Sequence, residues 1–445
     1  ILPYSNPQIC PKGADVRQDF VLWFSKSFAQ TKYRPVLLPR SDLAESRYSN
    51  VYRDGRQYRT SDLTSSRPAG DGDLKEFSAY GLNFTPGKGT FKTTAAGLQK
   101  VVSCDRLDVS RGRKANYRRF SDDYGYSPVN NLWTDISGAV QSRSDPKIYV
   151  VQTSFSVIQR CILMATDPGD LVLDPTCGSG TTAHVAEQWG RRWITIDTSR
   201  VALALARARV MGAKYPWYLL SDSSEGVKKT SEVTREAPST HATHNDIRHG
   251  FVYERVPHIT LKSIANNTEI DVIWDKLQPA VEDARAALNT ALQGHAEPFP
   301  VDTGGRAGQN IDFTANGTVT LPSGEEAPAN GFMEWEIPSI PGTPWPAEHR
   351  KLLDTAKKTS KNGAPTAASK RALAELNHLR SAKFTHDDLP DDPRLPWPDA
   401  AVSALEDFWK ARIARQSEID ASIAAKADHE YLYDKPYEDK KRVRV

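Results

Sequence analysis

The stretch "GDLVLDPTCGSGTTAHVAEQWGRRWITIDTSR", from Gly169 to Arg200, constrains this chain more than any other. "LVLD" (Leu171 to Asp174) is a short apolar run ending in an acid, and it predicts a buried parallel strand. "TTAHVAEQWG" carries helix formers after a threonine pair that can cap, and the pattern stops at Gly190. "RWITID" is a second β-branched run, ending at Asp197. A strand, a glycine-bearing turn, a helix and a second strand in this order make a βαβ unit.

The turn asks for a ligand. Glycines allow close approach of the backbone, and the unpaired N–H groups at a helix start attract negative charge. Gly178, Gly180 and Ala183 fit the dinucleotide pattern G-x-G-x-x-A, and Asp197 lies about twenty residues on, where an acid holds ribose hydroxyls. A nicotinamide or flavin oxidoreductase is therefore one reading. Asp174 argues for another, because an acid at the tip of the first strand repels a pyrophosphate and accepts from an ammonium group. Thr181 and Thr182 offer hydroxyls to a carboxylate. S-adenosylmethionine, with its ammonium, carboxylate and ribose, fits that description.

"DPTCGSGTT" resembles the cofactor loop of the amino-methylating DNA methyltransferases. The longer run "VVQTSFSVIQRCILMATDPGDLVLDPTCGSGTTAHVAEQWGRRWITIDTSRVALALARAR" resembles, over about sixty residues, the adenine-specific methylases of type III-like restriction–modification (Mod) systems. The resemblance implies an α/β fold: a Rossmann-like, doubly wound methyltransferase sheet, with an inserted target-recognition region and a mixed, helix-containing C-terminal region. It implies cofactor contacts from Asp174, Pro175, Gly178, Ser179, Gly180, Thr181 and Thr182, with Asp197 on the ribose. Gln152 and Thr153 match the place of an H-P-T-Q-K-P-like stretch beside the cofactor, although its His, Lys and Pro are not matched; plain helix capping is the alternative. Asp222, ending the run "YPWYLLSD", could reach the adenine of the cofactor, but a solvated loop acid is the expectation.

These methylases are similar to a circularly permuted order, with the D/N-P-P-Y/F motif first, target recognition next and the cofactor loop last. The 445 residues contain no such motif; "DKPYED" (Asp434 to Asp439), the nearest string, reads as part of a charged tail. The chain is expected to be a fragment whose catalytic strand lay before Ile1, with a non-catalytic specificity subunit as the alternative. No catalytic residue is assigned. The reading divides the chain into core at 1–29 and 136–225, target recognition at 30–135, a polar linker at 226–250 and an accessory region at 251–445.

The remaining sequence adds local expectations. "DFVLWFSK" (Asp19 to Lys26) predicts a strand, and Phe155, Ile158, Cys161 and Ile162 fall on one helical face. "VALALARARVMG" predicts the helix before a third strand in "YPWYLLSD". Between Gln30 and Asn130 arginines and tyrosines interleave, densest in "DVSRGRKANYRRF", so Arg111, Arg113, Lys114, Arg118 and Arg119 are candidate contacts to double-stranded DNA, against a solvated basic face. "GFVYERVPHITLKSIANN" suggests a hairpin, "IDVIWDKLQPAVEDARAALNTALQ" a helix despite Pro279, "TAKKTSKNGAPTAASKRALAELNHLRSAK" a helix pair, and "DAAVSALEDFWKARIARQSEIDASIAAKAD" a long helix. Trp335 and Trp345 are expected to anchor the Pro/Gly-rich stretch around them.

Charge and cysteines exclude more than they assign. A net charge of +3 and a pI of about 8.5 make the chain mildly basic, so a nucleic-acid surface has to be local. Cys10, Cys104, Cys161 and Cys177 show no paired spacing, which points to reduced thiols in a cytosolic, prokaryotic setting with no metal. No run approaches the roughly 18 apolar residues of a membrane span, and no signal peptide is visible. A restriction subunit and a homodimeric copy are further expected partners.

Overall fold

The computed structural model describes residues 20–109, 114–136, 147–359 and 364–444. The chain separates into two compact units. One gathers Ile1–Ser49, Ser121–His258 and Asp428–Val445; the other gathers Asn50–Phe120 and Ile259–Ala427. This differs from the sequence-based division. The segment at 30–135 is shared between the units, and so is the segment at 251–445, because strands distant in sequence pair with one another.

The first unit is α/β. Strand β1 (Leu37–Pro39) pairs antiparallel with β2 (Tyr126–Pro128), and helix α1 (Phe155–Ala165) comes next. Then come β3 (Leu171–Asp174), α2 (Thr181–Gln188) and β4 (Arg192–Thr195), with β3 and β4 parallel in the register Leu171↔Arg192 to Asp174↔Thr195. The expected βαβ unit is therefore present. One face of this ladder is packed: Val172 and Trp193 meet a core of Ile158, Ile162 and Leu163 from α1 and Val185 and Ala186 from α2. On the other face Leu171, Leu173, Ile194 and Ile196 are each half or more exposed.

Local chemistry explains the boundaries. Helix α2 begins after Gly180, at φ 71°, and ends in a Schellman motif. There the Arg191 N–H donates to Ala186 O at 2.8 Å and the Gly190 N–H to Glu187 O at 3.1 Å, with Gly190 at φ 70°. Helix α3 (Arg200–Met211) is capped by Ser199, whose side chain accepts from the Ala202 N–H.

Several expectations are corrected beyond this point. β5 (Tyr215–Tyr218) forms as expected, but it pairs antiparallel with β8 (Glu438–Arg444). The polar stretch at 226–250 is not simply a linker. It begins on helix α4 (Ser224–Thr234), which Ser223 caps and the acidic Glu225 favours in the first turn, and ends on a short 3₁₀ turn at Ile247–His249, with irregular chain between them. β6 (Tyr253–His258) makes no hairpin with the residues after it; it pairs with β7 (Asp428–Pro436), and Leu261–Ala265 is helical. "DKPYED" accordingly sits on β7, β8 and their junction rather than in a free tail. Phe20–Phe24 joins no ladder, and Phe24 is 86% exposed. Asp19 lies outside the described residues. An apolar run forms a strand only where another strand offers its edge, and among the described residues none pairs with this one.

The second unit holds a four-stranded antiparallel sheet in the order Asn50–Val51, Gln57–Asp62, Ala115–Phe120, Leu107–Val109. Two long helices, Glu269–Ala291 and Asp399–Ala425, dominate the remainder, with Pro279 accommodated inside the first. Ile270 and Ile273 share a core with Ile419 and Ile423, while Val281 and Leu288 share one with Leu405 and Phe408, so the two helices run antiparallel. The expected helix pair is Ala347–Ala356 and Ala367–Arg380. Trp345 is buried against Leu353 and Leu376, whereas Trp335 is half-buried beside Tyr80. Among the described residues no helix is long and apolar enough to cross a membrane.

Phe408 is fully buried among Phe332, Val281 and Trp397 in that core. Phe408→Ala is expected to lower stability by about 3–5 kcal/mol, read from the midpoint shift in urea unfolding. A loss below about 1 kcal/mol would show that the helix pair does not depend on this packing.

Candidate functional site

Parallel strands that end together place their loops together. β3 ends at Asp174 and β4 at Thr195, paired in register, so the loop 175–180 and the residues after Thr195 emerge at one end of the ladder. Backbone bonds tie them: the Cys177 N–H donates to Ile196 O at 2.8 Å, and the Ile196 N–H to Asp174 O at 2.9 Å. The Asp197 carboxylate completes the brace. It accepts from the Gly178 N–H at 2.8 Å through one oxygen and from the Ser199 N–H at 2.8 Å through the other. The Ser199 and Gly178 amides hold its carboxyl below the usual aspartate range.

The two glycines are conformational requirements. Gly178 and Gly180 both have positive φ, at 52° and 71°. A Cβ on Gly180 would lie 2.9 Å from the Ala206 Cα, so α3 approaches the loop as closely as a residue without a side chain permits. A Cβ on Gly178 would lie 3.6 Å from the Tyr149 ring and 3.7 Å from Val151 O. Tyr149 and Val151, just before Gln152 and Thr153, thus lie against the loop. Gln152 is itself buried, and its side-chain oxygen accepts from the Ile148 N–H at 3.1 Å; Thr153 is half-buried.

The hydroxyls of the loop divide into two groups. Ser179 and Thr181 are buried, hydrogen-bonded to each other at 2.8 Å, and Arg209 of α3 donates to Thr181 Oγ1 at 2.9 Å. Both are thus engaged from inside. Thr182 is half-buried and Pro175 exposed. Asp174 accepts from the Thr176 N–H at 3.0 Å through one oxygen. No side chain caps α2, whose first turn therefore presents backbone donors and the positive end of the helix dipole. Arg209 and Tyr149 were missed from sequence. For Arg209 the signal was a basic residue in the last turn of "VALALARARVMG"; for Tyr149 there was none short of the fold.

Asp222 does not face this crevice freely. Its carboxylate accepts from the His244 and Asp246 N–H groups at 3.1 and 3.0 Å and ties down that loop.

The candidate DNA contacts lie in the second unit and fare differently. Arg111 and Arg113 lie outside the described residues. Lys114 is exposed and paired with Asp62. Arg119 is half-buried, opposite Arg59 in the sheet. Arg118 is turned inward: its guanidinium stacks 4.5 Å from the Tyr52 ring and 5.0 Å from the Tyr58 ring and pairs with Asp108 at 3.2 Å. The alternation in "NYRRF" put Arg118 on the face opposite Tyr117, but the unit also packs that face. Arg118 is therefore corrected from DNA contact to internal support.

A family model described as DNA methylase matches residues 4–208. The chain is 31% identical over 120 residues to the type II methyltransferase M.BamHI of Bacillus amyloliquefaciens, which covers 27% of each chain. It is 48% identical over 54 residues to the type II methyltransferase M2.DpnII of Streptococcus pneumoniae, 12% of this chain and 20% of that one. The match to M2.LlaDCHI of Lactococcus lactis subsp. cremoris is 32% over 103 residues, 22% of this chain and 37% of that one. The matched segments thus cover between a fifth and two fifths of these curated relatives. Among solved structures, the M1.HpyAVI–SAM complex aligns with 22% of this chain and 51% of its own at 18% identity, with a TM-score of 0.16.

Two predictions come from these contacts. Because amide bonds depress the folded-state pKa of Asp197, its brace is complete above the unfolded-state pKa and is lost as pH falls through the lower folded value. Exchange protection of the Gly178 and Ser199 amides should therefore drop on acidification below pH ~4, and Asp197→Asn should remove that pH dependence. Arg118→Ala should cost about 3–5 kcal/mol in chemical unfolding, whereas Lys114→Ala should change stability by less than about 0.5 kcal/mol.

Proposed function

We propose that this chain binds S-adenosylmethionine in the crevice at the ends of β3 and β4 and serves site-specific methylation of an exocyclic amino group in DNA. The observation that carries the reading is the Asp197–Gly178 bond, which puts the strand-end acid and the glycine turn into one crevice with an uncapped helix start. The fit is chemical as well as spatial. Asp197 accepts from the Gly178 and Ser199 amides, with the Thr198 amide also close enough to favour its charge, and a carboxylate's lone pairs leave acceptor capacity for ribose hydroxyls. Asp174, one strand away, suits an ammonium group, and the first turn of α2 with Thr182 suits a carboxylate. S-adenosylmethionine would supply an activated methyl group. The matches to the DNA methylase family and to type II methyltransferases support DNA as the substrate, within restriction–modification. Adenine is the finer assignment, resting on the resemblance to type III-like methylases.

The chain's own residues limit what it does unaided. An amino nitrogen conjugated to a base ring is a poor nucleophile, and its hydrogens need acceptors as positive charge develops. No D/N-P-P-Y/F motif occurs in the 445 residues. The part proposed for this chain is therefore cofactor holding, with the amino acceptors supplied from outside these residues. DNA contact is proposed for the region around Lys114 and Arg119, in place of Arg118.

Isothermal titration should show binding of S-adenosylmethionine or its demethylated product, and Asp197→Ala should weaken it by removing the proposed ribose acceptor. Equal affinity for NADH would favour the dinucleotide reading instead. Supplied with radiolabelled S-adenosylmethionine and duplex DNA, the 445-residue chain should transfer no label; clear transfer would place the acceptor within it.

A further inference from the structure

The first unit has a cavity of about 520 Å³ at the end of the ladder away from the glycine turn. Gly169 precedes β3, Arg192 opens β4, and Glu187 and Gly190 mark the end of α2, so all the lining from this region comes from where the strands begin. The volume falls in the range that accommodates a nucleotide-sized ligand. Its lining residues include four arginines, Arg191, Arg192, Arg248 and Arg444, against two acids, Glu187 and Asp246. The excess is two positive charges.

Those charges are only partly neutralised. Arg191 is 4% exposed and binds neutral oxygens: Nε donates to Thr166 Oγ1 at 3.0 Å and the terminal nitrogens to Trp189 O at 2.7 Å and Thr166 O at 2.6 Å. The acids behind it, Asp167 and Asp170, are already held by Lys32 and Arg34. Arg192 spends its Nε on Gly169 O at 3.0 Å, and among the described residues its terminal nitrogens form no hydrogen bond. Arg444 donates to Glu187 O at 2.6 Å and lies 3.8 Å from the Glu187 carboxylate, while its Nε is buried without a partner. Arg248 makes a forked pair with Asp246, through Nε at 2.9 Å and a terminal nitrogen at 2.6 Å, so its charge is matched there, although 81% of its side chain is exposed.

The wall is built rather than incidental. Gly169 and Gly190 both have positive φ, and a Cβ on either would lie within 3.3 Å of Ile247, so these two glycines let the Asp246–Arg248 turn lie against the strand starts. The Trp193 side chain, whose Nε1 donates to Glu187 at 3.0 Å, and Ile247 add apolar surface beside the guanidinium groups.

We propose that this cavity is a phosphoryl-binding site, separate from the crevice at the glycine turn, taking the phosphates of a free nucleotide or of a nucleic-acid backbone. Forked arginine donors match phosphate geometry, and a flat apolar wall suits an attached base or sugar. The site does not depend on the S-adenosylmethionine reading.

Equilibrium dialysis of the 445-residue chain with radiolabelled pyrophosphate and with ATP, without S-adenosylmethionine, tests it. Both ligands should bind, and Arg192→Glu or the pair Arg192→Gln with Arg248→Gln should weaken binding about tenfold or more, with an unchanged melting profile. Asp197→Ala should leave binding unaltered. If short duplex DNA displaces pyrophosphate, and Arg192→Gln lowers the salt dependence of DNA binding by about one, the phosphates come from the backbone. If duplex does not displace it, they come from a free nucleotide. No binding by the wild-type chain at millimolar ligand, binding untouched by the arginine variants, or loss on Asp197→Ala would overturn the proposal.

Discussion

The parallel pairing of β3 with β4 is the constraint on which the α/β unit depends. Parallel strands joined through a helix deliver two loops to one end, and the in-register ladder from Leu171↔Arg192 to Asp174↔Thr195 sets those loops level. Everything at the crevice inherits that geometry. Asp197 can reach the Gly178 amide because its strand stops level with β3, and α3 can bring Ala206 against the loop because Gly180 carries no side chain. The same ladder creates the opposite end, where the strand starts, the end of α2 and β8 bring arginines together.

What was legible in the sequence was what is local. The run from Gly169 to Arg200 carries strand, turn, helix and strand in consecutive residues, and each boundary has its own chemical mark, so β3, α2 and β4 appear where expected. Helix α1 was equally legible, since Ile158 and Ile162 fall on its buried face. Non-local pairing was not legible. Nothing in "YPWY" says that it will meet "EDKKRVR" more than two hundred residues later, nor that Tyr253–His258 will pair with Asp428–Pro436 instead of its neighbours. Pattern gives the type of an element; its partner is set by the topology of the whole chain. The same limit explains the run at Phe20–Phe24, whose composition suits a strand but which meets no edge.

Arginine-rich composition misled for a related reason. In the second unit arginines interleaved with tyrosines read as a nucleic-acid surface, yet Arg106 is buried and Arg118 is turned inward, and the arginines of the long helix Asp399–Ala425 are used in the same way. Asp105 receives Arg412 at 2.9 Å and the Tyr52 hydroxyl, while Glu334 receives Arg415 at 2.6 Å and Arg412 at 3.2 Å. Burial pushes the Asp105 carboxyl up, but Arg412 and Arg53 outweigh it and hold it below the usual range. A guanidinium is suited to this use because it stacks on rings and donates to several oxygens at once. The net charge of +3 counts these side chains equally with exposed ones, so it says little about what a partner would meet.

In the cofactor site proposed above, a ligand would have to enter without breaking the contact that shapes the turn. A carboxylate offers about four lone-pair sites, and Asp197 accepts from the Gly178 and Ser199 amides. Ribose hydroxyls can therefore add to Asp197 while the Gly178 and Ser199 amides stay bound. The amides also favour the ionised form of the carboxyl, which is the better acceptor. Ser179 and Thr181 make the complementary arrangement: Arg209 engages their hydroxyls from inside, fixing the turn, so its outer side is left to the backbone donors and Thr182. Recognition at such a crevice falls to groups that need not move, which is what lowers the cost of ordering a flexible ligand.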